Sequence, residues 1–138
     1  MIPEKQAAIE AIEAKRDVIT DVADHIWEYA ELSLQEEKSA ALYCEVLERE
    51  GFQVEKGICG IETAFSATYG SGRPLIGILA EYDALSGLSQ KAGSLIREEL
   101  VPGGCGHGCG HNLLGAGAMA AAIGIRAYLK QSKMPGTV

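Results

Sequence analysis

The sequence predicts an α/β domain in which a mixed sheet is flanked by helices, and three observations predict it. Helical apolar spacing governs the chain up to Gly51. Short β-forming runs follow between Phe52 and Ala80, and a helical period returns from Asn112 to Leu129. The resulting order, α-α-β-β-β-loop-α-(β), belongs to an α/β domain. With 138 residues, 47% of them apolar, the chain reads as one domain able to bury about two thirds of its unfolded surface.

Each element has a local reason. Pro3 suits a first helical turn, and Ile19, Val22, Ala23, Ile26 and Ala30 recur at helical spacing, so residues 4–30 read as one amphipathic helix. Ser33 and Glu36 resemble a capping box that opens a second helix. Its stripe is Ala40, Tyr43, Cys44 and Leu47, and Gly51 stands where a left-handed cap would end it. Phe52–Lys56 reads as a short strand, Thr63–Tyr69 carries β-formers, and Gly70–Pro74 is a turn cluster. Leu75–Ala80 is a continuous apolar run, expected of a strand buried on both faces and paired as a hairpin with Thr63–Tyr69. That strand ends in Glu81, Tyr82 and Asp83. Ser86–Gly104 has no clean period beyond a helical turn at Ser94–Leu100. Met134–Gly136 breaks the last helix, and Thr137–Val138 opens a further strand.

Composition excludes several partners. Twelve basic against nineteen acidic residues give a net charge of -7, which repels phosphate backbones and sets nucleic acid aside. The longest uncharged apolar stretch, Leu113–Ile125, is shorter than the roughly 20 residues of a bilayer span. Rich in Gly and Ala, it predicts a buried helix packed closely on a sheet, and no membrane association. Residues 1–16 are charged and unlike a signal peptide. Cys44, Cys59, Cys105 and Cys109 therefore point to a reducing, cytoplasmic compartment rather than a disulfide framework.

Two segments carry chemistry. In Cys105-Gly-His107-Gly-Cys109-Gly-His111, four ligand-type side chains alternate with three glycines. Thiolate and imidazole are donors that zinc and similar ions prefer. The adjoining helix start favours the thiolate form. A Cys105–Cys109 redox pair is an alternative, though three residues intervene where thioredoxin-like motifs have two. A closed zinc site from Cys105, His107, Cys109 and His111 is another, though structural sites draw ligand pairs from separated segments. In the second segment, Ala80–Ser86, Asp83 follows a strand at the end where ligands sit in α/β sheets. A carboxylate there can bind a metal or hold a metal-bound imidazole by its second nitrogen. The plain alternative is a solvated strand end.

Taken together, Ala80–Gln90, Gly106–Gly115 and the helical stretch Trp27–Glu36 resemble the metallopeptidase and amidohydrolase family that contains aminoacylases, glutamate carboxypeptidase and aminobenzoyl-glutamate hydrolase. The likeness is greatest to the aminobenzoyl-glutamate hydrolase branch. It covers nearly all 138 residues, in order. The resemblance implies the N-terminal portion of a catalytic domain spanning residues 1–138. It also implies hydrolysis of an amide bond in a small N-acyl amino acid, dipeptide or aminobenzoyl-glutamate-like conjugate, at two divalent ions, zinc or manganese. Cys109 then corresponds to the ligand bridging both ions and His111 to a ligand of one. Asp83 corresponds to the catalytic-site aspartate behind them. Glu81 falls where sister branches carry a ligand histidine, a ligand for which His111 substitutes here. Glu81 and His107 stand beside the ligands, or His107 forms a pocket wall, and Cys105 has no role. Ser86 and Ala30 replace prolines of the pattern. The general-base glutamate, further ligands and an inserted domain with homodimer contacts are expected beyond Val138, so the chain alone is expected to be inactive. The rival readings are a non-catalytic zinc module and a truncated remnant.

Overall fold

A computed structural model describes residues 1–138. Four helices run as α1 (Pro3–Glu13), α2 (Arg16–Tyr29), α3 (Glu37–Arg49) and α4 (His111–Ser132). Four short strands, β1 (Gln53–Lys56), β2 (Phe65–Thr68), β3 (Gly70–Ser71) and β4 (Gly136–Thr137), form two antiparallel pairs, β1–β2 and β3–β4. The α/β class stands. Parallel pairing is confined to isolated bridges, Leu32 with Ala84 and Leu75 with Thr137.

The expected single helix over residues 4–30 is two. Every residue of the stripe that predicted it lies in α2 or at its end, and no α1 residue is buried. The break lets α2 turn Val22, Ala23 and Ile26 inward. The expected capping box at Ser33 and Glu36 does not form. Instead the Glu31 carboxylate accepts the backbone N–H of Lys38 at 3.0 Å and of Ser39 at 2.9 Å, with the Ser39 hydroxyl at 2.7 Å. A carboxylate across the open N–H groups of a helix start satisfies them and meets the positive end of the dipole. At the other end of α3, Gly51 adopts φ +84° and the Phe52 N–H reaches the Leu47 carbonyl, closing the expected left-handed cap.

The expected hairpin of Thr63–Tyr69 with Leu75–Ala80 is also corrected. β2 pairs with β1, in register from Gln53 opposite Thr68 to Lys56 opposite Phe65. The turn after β2 is taken up by β3, which pairs with β4. Leu75–Ala80 is left extended, bonded only where the Ile76 N–H meets the Thr137 carbonyl. It is mostly exposed, Leu79 at 92%. A strand apolar on both sides needs neighbours on both edges, and here it has one bridge. No helical turn forms at Ser94–Leu100.

The core is Val22 and Ile26 from α2, Tyr43, Val46 and Leu47 from α3, Phe52, and Met119 and Ile123 from α4. α4 is long and apolar enough to cross a membrane by length and composition, yet its buried face builds this core. Its small residues seat it on helices rather than on the expected sheet. A Cβ at Gly115 would lie 2.3 Å from the Tyr43 hydroxyl, and one at Gly124 would lie 2.8 Å from Ile12 Cδ1. Glu50, at the end of α3, holds Lys15 at 2.6 Å and Arg126 of α4 at 2.8 Å.

Candidate metal centre

Three side chains converge where the segment after Ala80 meets the start of α4. Successive side chains of an extended segment point to opposite sides, so Glu81 and Asp83 share one side and Tyr82 takes the other. Tyr82 enters an aromatic group with Tyr43 and Phe65, ring centroids at 5.3 and 6.0 Å, and donates its hydroxyl to the Thr63 carbonyl. Burial holds the Tyr82 hydroxyl neutral, well above its usual pKa. One residue on, the Ala84 N–H bonds the Glu31 carbonyl at 2.7 Å. Leu85 and Gly106 then exchange both backbone bonds at 3.0 Å, locking this segment to the glycine-rich loop. Position 106 has room only for glycine, because a Cβ there would lie 2.1 Å from the Leu88 carbonyl oxygen.

His111 is the first residue of α4, after Gly110 in the left-handed region at φ +77°. The ring Nδ1 lies 2.8 Å from Asp83 Oδ1 and Nε2 lies 3.4 Å from Glu81 Oε2. The His111 and Asp83 side chains are mostly covered, at 16% and 21% exposed, whereas Glu81 faces solvent. One donor atom from each of Glu81, Asp83 and His111 lies within 4.8 Å of the others. All three line a cleft of about 790 Å³ with largely apolar walls.

The remaining candidates fall elsewhere. Cys109 is exposed, just before Gly110, and is not among the three converging groups. His107 turns inward. Its Nε2 lies 2.9 Å from the Ile26 carbonyl, while Nδ1 is buried without a partner. With Cys105 it lines a second cavity of about 400 Å³ beside Trp27, not the cleft that Asp83 and His111 line. The four-residue zinc site from Cys105, His107, Cys109 and His111 therefore lacks its geometry, because the His107 ring is committed to α2. Cys105 and Cys109 are both free thiols. Asn112 adds a bond from its amide to the Ala23 carbonyl at 3.2 Å, so the loop is fastened to α2 at both ends. Glu31, which both caps α3 and bonds Ala84, was missed from sequence. Its only signal is a carboxylate a few residues before a helix that lacks a cap.

Desolvation lowers the His107 pKa, outweighing the bond to Ile26. The folded state thus disfavours its proton more than the unfolded state does. The stability this contributes is complete above the unfolded pKa of about 6.5 and is lost as pH falls below it. Thermal melts of His107→Gln, which keeps a donor for Ile26 but cannot titrate, should show a shallower loss between about pH 7 and 5 than the parent. Equal slopes would contradict the assignment.

The donor set fits a divalent ion. Asp83 accepting Nδ1–H leaves Nε2 as the ligand atom, the carboxylate–histidine arrangement typical of metal sites. Carboxylate and imidazole suit zinc and manganese alike.

No family model matches the chain. One of the subunits of p-aminobenzoyl-glutamate hydrolase from Escherichia coli strain K12 is 48% identical over 129 residues, 94% of this chain and 27% of that protein. Over nearly its whole length the chain is thus similar to members of an amidohydrolase and peptidase family. The human Xaa-Arg dipeptidase is 28% identical over 144 residues, 95% of the chain and 29% of that protein. The chain thus spans between a quarter and a third of the length of these family relatives. The fold agrees. A crystal structure of a candidate aminohydrolase from methicillin-resistant Staphylococcus aureus superposes with TM-score 0.74 at 24% identity, over 97% of this chain and 34% of that one.

Proposed function

We propose that this chain supplies part of the metal site of an amidohydrolase that cleaves an amide bond in a small amino-acid conjugate. The observation that carries the reading is the Asp83–His111 bond of 2.8 Å at the wall of the open cleft. The cleft volume is in the range of small-molecule sites. The family relatives, a hydrolase of p-aminobenzoyl-glutamate and a dipeptidase, favour N-acyl amino acids, dipeptides and aminobenzoyl-glutamate-like conjugates as substrates.

Two divalent ions, zinc or manganese, are the proposed cofactors, with Cys109 and His111 as ligands. A bound ion supplies Lewis acidity toward the scissile carbonyl. The chain's own groups do the positioning. Asp83 fixes the His111 tautomer and ring plane, and Gly110 at positive φ makes the turn between Cys109 and the start of α4. The apolar walls of the cleft exclude water from a bound conjugate.

We place the chain in the N-terminal portion of a longer catalytic domain, in a homodimeric enzyme of the cytoplasm. The subunit status of the Escherichia coli relative supports assembly into an oligomer without specifying a homodimer, and the cytoplasmic placement follows from reading the four cysteines as free thiols. On this reading the 138 residues bind metal weakly and do not turn over substrate. The test is metal content after dialysis against zinc. We expect less than one ion per chain, lowered further in Cys109→Ser. Unchanged content in that variant removes Cys109 from the site, and chelator-sensitive hydrolysis of p-aminobenzoyl-glutamate by the pure chain overturns the inactivity.

A further inference from the structure

We infer that Glu81 is itself a metal ligand, a carboxylate completing the coordination begun by His111, rather than a bystander beside it. The inference rests on the proposed metal site and adds a residue to it. Two donors about 2.1 Å from a common zinc ion stand about 3.4 Å apart in a tetrahedral arrangement. Glu81 Oε2 and His111 Nε2 are 3.4 Å apart. A direct charge-assisted hydrogen bond would draw them to about 2.7–2.9 Å, as it does for the other nitrogen of the same ring, 2.8 Å from Asp83. The two carboxylates therefore hold the imidazole differently, Asp83 by its proton-bearing nitrogen and Glu81 across a gap of ligand–ligand width. The alternation of the segment keeps both on one side, with Tyr82 buried as its anchor. Glu81 is 63% exposed, so its carboxylate is free to approach an ion from the solvent side.

The test uses cobalt(II) as the probe with the purified chain, followed by calorimetry and by its visible and near-ultraviolet absorption. Glu81→Gln should weaken cobalt affinity roughly 10- to 100-fold, on the scale of losing a group that supports a metal site. The thiolate-to-cobalt band from Cys109 should persist in this variant. Glu81→His, which returns a nitrogen donor to the same place, should restore affinity. His111→Ala should abolish binding. Wild-type affinity in Glu81→Gln overturns the role of Glu81, and the wider metal-site reading stands as long as His111→Ala loses cobalt. No cobalt binding by the unmodified chain overturns both. Because Glu81 lies at the surface, circular dichroism of its variants should match the parent, and a misfolded Glu81→Gln is answered by the folded Glu81→His.

Discussion

Replacing Glu50 by alanine is expected to destabilise the fold by about 3 kcal/mol, the lower end of the range for removing one partner of a buried ion pair. The carboxylate is 8% exposed and joins three elements: α3 at its own position, Lys15 at the α1–α2 break, and Arg126 on α4. The Arg126 guanidinium also donates to the Glu50 carbonyl, and its Nε is buried without a partner. Alanine would strand a charge that is 15% exposed and leave it few bonds. Lys15, 37% exposed, can return to water, which keeps the effect near the lower bound. Chemical denaturation should read the loss directly. The double variant Glu50→Leu with Arg126→Met should recover most of it, because exchanging both charges for apolar groups removes the stranded one. Burial on its own would raise the Glu50 pKa, but Lys15 and Arg126 together outweigh it and hold it below the ordinary value. The contribution is therefore complete above about pH 4.3 and is lost as pH falls through the lowered folded value. An acid limb that is the same in Glu50→Ala and the parent would refute this.

The second large effect is at the site. Asp83→Ala should lower cobalt or zinc affinity about 10- to 100-fold, or about 1.4–2.7 kcal/mol. Asp83 accepts from His111 Nδ1. Without it the ring is free to rotate and to carry its proton on Nε2, the atom the metal needs. The variant should stay folded, since Tyr82 and Ala84 anchor the segment from either side of it. Affinity equal to the parent would mean that the hydrogen bond holds the ring without serving the site.

What could be read from sequence follows the range of the interactions. α4, the Gly51 cap and β1 were legible because each is decided within a few residues, by period, by positive φ or by β-forming side chains. The motif resemblance singled out Asp83 and His111, and the fold brings the two side chains within 2.8 Å. The partner of β2 was not, because Thr63–Tyr69 could pair as well with Leu75–Ala80 as with β1, and the choice depends on β4 claiming the turn between them. The break after α1 was hidden because Lys15, which stands at it, makes its ion pair with Glu50, 35 residues away in sequence. His107 misled for the same reason. Its ring is oriented by a carbonyl 81 residues upstream, and nothing in the glycine-rich motif records that carbonyl.

The extended, uncovered run Leu75–Ala80 bears on how the site moves. The carboxylates of Glu81 and Asp83 are not registered by a strand behind them. They hang from single bonds, the Tyr82 hydroxyl on Thr63 and the Ala84 amide on Glu31, ahead of the paired Leu85–Gly106 bonds that fasten the far end. Each such bond contributes about 1 kcal/mol net, so the segment can open locally at a small fraction of the free energy of global unfolding. The carboxylate arm of the site is thus a hinged leaf on a fixed post, and His111 at the head of α4 is the post.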